Sequence, residues 1–299
     1  MRVNAADLRP LDRLQLHIAR RLDGLLHGDY LGLLPGPGSE PGEAREYRPG
    51  DDVRHMDWPV TARTTTPHVR TTVADRELEA WLAVDLSPSL DFGTVGMLKR
   101  DLAINAVAAF SYMAGRGGNR IGAVVTEGGP AKAIPPRPGR GGARSLLRAV
   151  ARLPKGEGPG DLAELLDKTR RHTRRRGLAV VISDFIGAEG GRDWARELRR
   201  LSVRQQVLCV EVVDPAELKL PDVGVLDLID PETGELVEIQ TGNARLRARY
   251  EAAAAAQRER IAAGIRSAGA AHLRLSTGND WLRDIAAFVA ARRHLAAYR

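Results

Sequence analysis

The residues best suited to chemistry lie in Asp85-Leu86-Ser87-Pro88-Ser89. This Asp-x-Ser-x-Ser pattern supplies one carboxylate and two hydroxyls in a short span. Turned toward one point, they are hard oxygen donors of the kind that suits Mg2+ in octahedral geometry with several waters retained. Asp184, which closes the apolar run LAVVIS, offers a second carboxylate. Two such chain turns side by side would give a divalent ion two carboxylates and two hydroxyls. Water and a carboxylate from a binding partner would take the remaining positions. Ser87 and Ser89 could also be read as nucleophiles, but no Gly-x-Ser-x-Gly elbow surrounds them and no motif sets a histidine beside them. A third reading is structural, a loop held by its own hydrogen bonds.

These residues must be positioned by regular elements. The near-continuous apolar run 78–86 (LEAWLAVDL) predicts a buried strand of a parallel sheet, with Asp85 at its carboxyl end. In an open α/β sheet that is where ligands bind. A helix over 95–114 is apolar almost all round and is expected to lie deep. Further strands are predicted at 119–126, about 131–134, 178–183, 206–213 and 271–275, and helices at 143–152, 161–175, 192–201, 244–267 and 280–297. Alternation of this kind predicts an α/β fold with a doubly wound, mainly parallel sheet. Leu8, Leu11, Leu14, Leu22 and Leu25 predict an amphipathic helix over 7–27. The Gly/Pro-rich stretch 32–50 reads as loop, and the threonine-rich stretch 51–73 as short paired strands. Asp230-Pro231-Glu232-Thr233-Gly234 sits between two alternating runs and predicts a β-hairpin insertion near 214–242. The expected organisation is an N-terminal extension over 1–77 and an α/β domain over 78–299.

Composition excludes several classes. Cys209 is the only cysteine, so neither an internal disulfide nor a cysteine-rich zinc site can form. No apolar run approaches the ~20 residues that cross a bilayer, and the N-terminus is too charged for a signal peptide. A cytoplasmic protein is expected. The net charge of +7 opens the reading of a basic surface for nucleic acid or acidic protein. The densest cluster, Arg170, Arg171, Arg174, Arg175 and Arg176, falls late in a predicted helix, where cations suit the negative end of the dipole. Gly139, Gly141 and Gly142 are not followed by Gly-Lys-Ser/Thr, so they are not a phosphate loop. His55 and Asp57 lack further ligands at metal spacing.

Asp85, Ser87, Ser89 and Asp184 resemble the metal-ion-dependent adhesion site of von Willebrand factor type A domains. That family places a threonine between these elements in a Gly-Thr-Asp-Leu context. Here Gly158-Pro159-Gly160-Asp161-Leu162 stands in that place, so Gly160 removes one hydroxyl and Asp161 becomes a possible additional ligand. A second signature precedes the domain: Glu46-Tyr47-Arg48-Pro49-Gly50-Asp51-Asp52-Val53-Arg54, then Asp57-Trp58, then Thr61-Ala62-Arg63. With Phe92-Gly93 and Asp214-Pro215, this order is similar to the bacterial domain-of-unknown-function family 58, which joins such a segment to a type A-like domain. The match spans roughly residues 36–240.

The resemblance implies a non-enzymatic adaptor or co-chaperone. It would dock through a site holding Mg2+, with Mn2+ or Ca2+ as alternatives, and its partner would be a MoxR-type AAA+ ATPase. Many relatives carry transmembrane helices before this region, and none is expected here. Arg48, Gly50, Asp51, Asp52, Arg54, Asp57, Trp58 and Arg63 are the candidate interaction signature. Their opposite charges can also pair with one another and fix the segment, since guanidinium groups bind carboxylates bidentately. Two other functions stay open at this point. One is a nucleic-acid-binding basic protein and the other is a metal-dependent hydrolase using the Asp85 loop.

Overall fold

The computed structural model describes residues 9–26, 44–47, 56–70, 79–116, 119–156, 158, 160–186, 193–229 and 236–297. Two compact units divide the chain: residues 1–34 with 78–299, and residues 35–77. The first helix, α1 (Arg9–Leu26), buries Leu11, Ile18 and Leu22, which share one helical face. It packs on helices of the larger unit, so the extension expected over 1–77 is shared between the two units.

In the smaller unit, β1 (Ala44–Glu46) lies inside the stretch expected as loop. The stretch 51–73, expected as short paired strands, is helical over α2 (Trp58–Thr64). Threonine content suggested strands, but local capping decides the outcome. The Asp57 carboxylate accepts the Val60 amide at 3.3 Å, and Pro59 stands in the first turn, where its fixed φ suits a helix. β2 (His68–Arg70) follows and pairs antiparallel with β1.

The larger unit is built on β3 (Glu79–Asp85), whose residues after Glu79 are all buried. α3 (Lys99–Arg116), β4 (Arg120–Thr126) and β5 (Lys132–Pro138) come next. β5 runs antiparallel to β4 at the sheet edge, and the register shifts between Ile121 and Ala123, opposite Pro135-Pro136, as suits prolines in an edge strand. α4 (Gly139–Ala151) and α5 (Leu162–His172) lead to β6 (Leu178–Ser183), and α6 (Trp194–Ser202) leads to β7 (Gln206–Val213). The insertion holds a short helix, α7 (Pro215–Leu218), and the hairpin of β8 (Val225–Ile229) with β9 (Leu236–Gln240). Its expected turn at 230–234 lies outside the described residues. α8 (Ala244–Ser267), β10 (Ala271–Ser276) and α9 (Trp281–Ala297) complete the unit.

The sheet order is β10-β7-β6-β3-β4-β5, with every pair parallel except β4–β5. This is the α/β, mainly parallel architecture that the alternation predicts. Leu82 and Val84 face a core shared with α1, α3, α4 and α9, while Trp81 and Ala83 face one shared with α5, α6 and α8. Burial on both faces explains the lack of polar alternation in β3. From β3 the chain moves outward to β4 and β5. It then returns to β6 on the other side of β3 and continues to β7 and β10. The strand order therefore reverses between β3 and β6, and the crevice outside their carboxyl ends is where such folds bind ligands. Asp85 and Asp184 lie at those two ends. Among the described residues, no helix is long and apolar enough to cross a membrane.

Candidate functional site

β3 delivers Asp85 to the crevice almost fully buried. Its Oδ1 accepts the Ser87 amide at 3.0 Å, and its Oδ2 accepts the Ser183 hydroxyl at 2.9 Å. A short 3-10 turn over Pro88–Asp91 carries Ser89, which leaves the Ser87 and Ser89 hydroxyl oxygens 3.2 Å apart. Arg100 braces this loop from below, donating to the Leu86 carbonyl at 2.8 Å and the Pro154 carbonyl at 2.8 Å. Burial, followed by the charge of Asp184, pushes the Asp85 carboxyl above the usual carboxylate range, against the hydrogen bonds from Ser87 and Ser183. Among the described residues, no lysine or arginine pairs with Asp85.

Asp184 is placed differently. Its Oδ2 accepts from Lys99 Nζ at 2.8 Å, and its Oδ1 accepts the Ile186 amide at 3.0 Å. Lys99 enters from the first turn of α3, is 1% exposed, and also reaches Glu217 Oε1 at 2.5 Å. Burial alone would lower the ammonium pKa. The charges of Asp184 and Glu217, with their hydrogen bonds, outweigh it and hold the group above its ordinary value. The pairing continues outward. Arg258 stands 3.5 Å from Glu217 and 3.2 Å from Glu211, and donates to the Asp184 carbonyl at 3.3 Å. Glu211, in β7, also accepts Arg274 Nε at 2.8 Å and lies 2.8 Å from His272 Nε2. Burial pushes its carboxyl up, but these bonds and charges prevail and hold it low. After Asp184 the chain turns through Phe185 at φ +57, an uncommon conformation for a bulky side chain, held by the Ser183 hydroxyl at 2.9 Å from its amide.

Gly160 closes the crevice from the α4–α5 loop. A Cβ there would stand 2.7 Å from Ser87 Cβ and 3.3 Å from Asp85 Oδ1. The position expected to carry a threonine therefore presses its backbone on the Asp85 loop, and this geometry leaves no room for a side chain. Asp161 caps α5, its Oδ1 accepting the Glu164 amide at 2.8 Å.

The donor set can be tested against a divalent ion. Hydroxyls 3.2 Å apart fit neighbouring positions of an octahedral ion, whose adjacent oxygens stand about 3 Å apart at metal–oxygen distances of ~2.1 Å. Ser87, Ser89 and Asp85 fit this role. Both carboxylates accept a backbone amide on Oδ1, but Asp184 Oδ2 is neutralised by Lys99 whereas Asp85 Oδ2 accepts the Ser183 hydroxyl. Among the described residues, no three His, Cys, Asp or Glu side chains form a metal cluster, so the donors are hydroxyls with one or two carboxylates. Such a sparse set suits an ion that retains water.

Of the interaction signature, Arg48, Gly50, Asp51, Asp52 and Arg54 lie outside the described residues, as does His55. Asp57 is buried as the cap of α2, while Trp58 and Arg63 are exposed on that helix. Cys209 is buried inside β7, and burial raises its thiol pKa far above the ordinary value, as expected of an inert thiol. Sequence reasoning did not single out Lys99, Ser183, Glu217 or Arg258. A signal was present for Lys99, which stands three residues before Leu102 on the buried side of α3.

Comparison with known proteins adds relatives to this geometry. The family described as "Protein of unknown function DUF58" matches residues 43–260. An uncharacterized protein of Mycobacterium tuberculosis is 52% identical over 291 residues, covering 97% of this chain and 90% of its own length. One from Mycobacterium avium is 45% identical over 162 residues, 54% of this chain and 94% of that protein. Among solved structures, the conserved hypothetical protein BatB of Bacteroides thetaiotaomicron aligns with TM-score 0.46 at 17% identity, covering 73% of this chain and 99% of that one. A von Willebrand factor type A protein of Catenulispora acidiphila aligns with TM-score 0.35 at 16% identity, covering 49% and 34%.

Proposed function

The chain belongs to the DUF58 family, and we propose that it is a non-enzymatic cytoplasmic adaptor that docks a protein partner through the Asp85 loop. One observation carries the reading. A buried carboxylate without a lysine or arginine partner among the described residues lies beside two hydroxyls 3.2 Å apart, at the point where the strand order reverses. A buried, unpaired charge is costly. A bound cation offsets that cost, and Mg2+ matches the oxygen donors present, with Mn2+ or Ca2+ as alternatives. When bound, the ion supplies a Lewis-acidic point that an acidic side chain of the partner can ligate. Ser87 and Ser89 would hold it, Asp85 would balance its charge, and Arg100 and Ser183 fix these groups in place.

The serine hydroxyls face each other rather than a histidine base, which supports docking over catalysis. The proposed partner is an AAA+ ATPase of the MoxR type, the class that the resemblance to this family implies. An ATPase carries its own Mg2+ with nucleotide, so chelation cannot isolate the ion of this site. The discriminating comparison is wild type against Asp85→Ala and Ser87→Ala at constant Mg2+. Loss of ATPase binding in both variants, with their melting curves intact, is the expected result. Undiminished binding in both would refute docking through this loop.

A further inference from the structure

We infer that Lys99 is the site's resident cation: its ammonium holds Asp184 out of the ion-ligating set and so sets how tightly the Asp85 loop binds a divalent ion. The inference rests on the ion of the docking reading and goes beyond it, because it assigns opposite roles to the two carboxylates of the crevice.

Three observations carry it. First, Lys99 is built into the site. It is 1% exposed, and its Nζ lies 2.8 Å from Asp184 Oδ2 and 2.5 Å from Glu217 Oε1. A lysine is almost never so buried unless paired. Second, among the described residues Asp184 is matched by a cation where Asp85 is not: its Oδ2 takes the Lys99 ammonium, while Asp85 Oδ2 takes the Ser183 hydroxyl. Asp184 Oδ1 accepts the Ile186 amide, and the Asp184 carbonyl accepts from Arg258. Glu217 is equally committed, with Oε2 accepting the Asp214 amide at 3.0 Å and lying 3.5 Å from Arg258. Lys99, Arg258 and Arg274 therefore match Asp184, Glu217 and Glu211 charge for charge, and Asp85 is the carboxylate left over. Third, the hydroxyls that would share an ion lie on the Asp85 loop, not on the chain after β6.

Two consequences follow for a divalent ion. It finds one carboxylate rather than two, and it meets an ammonium of like charge across Asp184. Both weaken binding in the protein alone and leave ligand positions for an incoming acidic side chain. Lys99 also ties the loop after β6 to α7 and α8 through Glu217 and Arg258.

The test is calorimetric titration of Mn2+ into the full chain as wild type, Lys99→Gln, Asp184→Asn and the double variant, each checked by thermal melting. Asp184→Asn keeps the Lys99–Glu217 pair and guards against misfolding of the lysine variant. The expected result is Lys99→Gln binding at least about tenfold tighter than wild type, as removal of a like charge and release of a carboxylate require. Asp184→Asn uncovers the same ammonium and should weaken binding, whereas the double variant, which loses one charge of each sign, should match wild type within about threefold if Asp184 is not a ligand. A tenfold loss in the double variant, or no gain in Lys99→Gln while Asp85→Ala still abolishes binding, overturns this inference and leaves the docking reading standing. No saturation in any of the proteins overturns the inference and also removes the ion from the docking reading.

Discussion

Replacing Gly160 with alanine adds a single carbon behind the Asp85 loop. The new Cβ would lie 2.7 Å from Ser87 Cβ, 3.0 Å from Ser87 Oγ and 3.3 Å from Asp85 Oδ1. Carbon atoms pack best at about 3.5–4.0 Å, so one of the two loops must move by close to 1 Å. Ser87 Cβ is bonded directly to the backbone and cannot swing aside. The Ser87 amide is itself held by Asp85, and Arg100 pins the neighbouring Leu86 carbonyl. Overpacking of this kind costs about 1–3 kcal/mol. Loss of glycine's freedom in the unfolded chain returns about 0.4–1 kcal/mol, since Gly160 is not at positive φ and alanine can adopt its backbone. The net destabilisation is therefore roughly 0.5–2 kcal/mol, a fall in Tm of about 1–3 °C for a protein of this size. Urea denaturation and thermal melting in EDTA measure it, and the cause is isolated in a cycle with Ser87→Gly, which removes the atom that is struck. The Gly160→Ala penalty should shrink by about 1 kcal/mol in the Ser87→Gly background. A Gly160→Ala protein as stable as wild type, or a penalty indifferent to Ser87, would refute the close approach and with it the reason why a threonine is not accommodated here.

Asp85→Asn removes a buried charge while keeping the shape of the side chain, so in EDTA its Tm should exceed that of wild type by an amount equivalent to about 1 kcal/mol or more; an unchanged or lower Tm would show that the carboxylate is already compensated. Asp214 behaves in the opposite way: burial raises its carboxyl, but bonds from Thr277, Thr94 and the Thr94 and Ala216 amides prevail and lower it below the usual range. A carboxylate whose folded pKa is depressed contributes stability above its unfolded pKa of about 3.9, and that stability is lost as pH falls through the folded value. Thr277→Val removes the 2.6 Å bond and should cost about 1.5–3 kcal/mol at pH 7. The difference between variant and wild type should narrow below about pH 4, and a cost that stays constant across the acid range would assign the effect to packing instead.

Much of this architecture is legible in the residues alone, for a local reason. The apolar runs that became β3, β6 and β7 are continuous because both faces of the sheet are covered, and the helices between them show their buried sides by periodicity. Asp85 and Asp184 end such runs, so their arrival at neighbouring strand ends follows from the strand order of a doubly wound sheet. Where local capping competes with composition, capping decides the element. The threonines of 58–64 suggested strands, but the Asp57 cap and Pro59 make a helix.

Tertiary structure alone decided how the two carboxylates differ. Asp85 and Asp184 look alike in sequence, each an aspartate at the end of a buried strand. One is matched by a lysine that precedes it by 85 positions, and the other by hydroxyls and an amide. The partners of Lys99 and Arg258 come from separate elements, and no spacing rule connects them. Gly160 is similar. In the chain it reads as a missing hydroxyl, whereas in the fold it is the contact surface of two loops. A buried charge is priced by its neighbours in space, and a glycine by the room left beside it. Sequence therefore shows that two aspartates reach the crevice, and packing brings the partners that decide which of them is left with a charge to share.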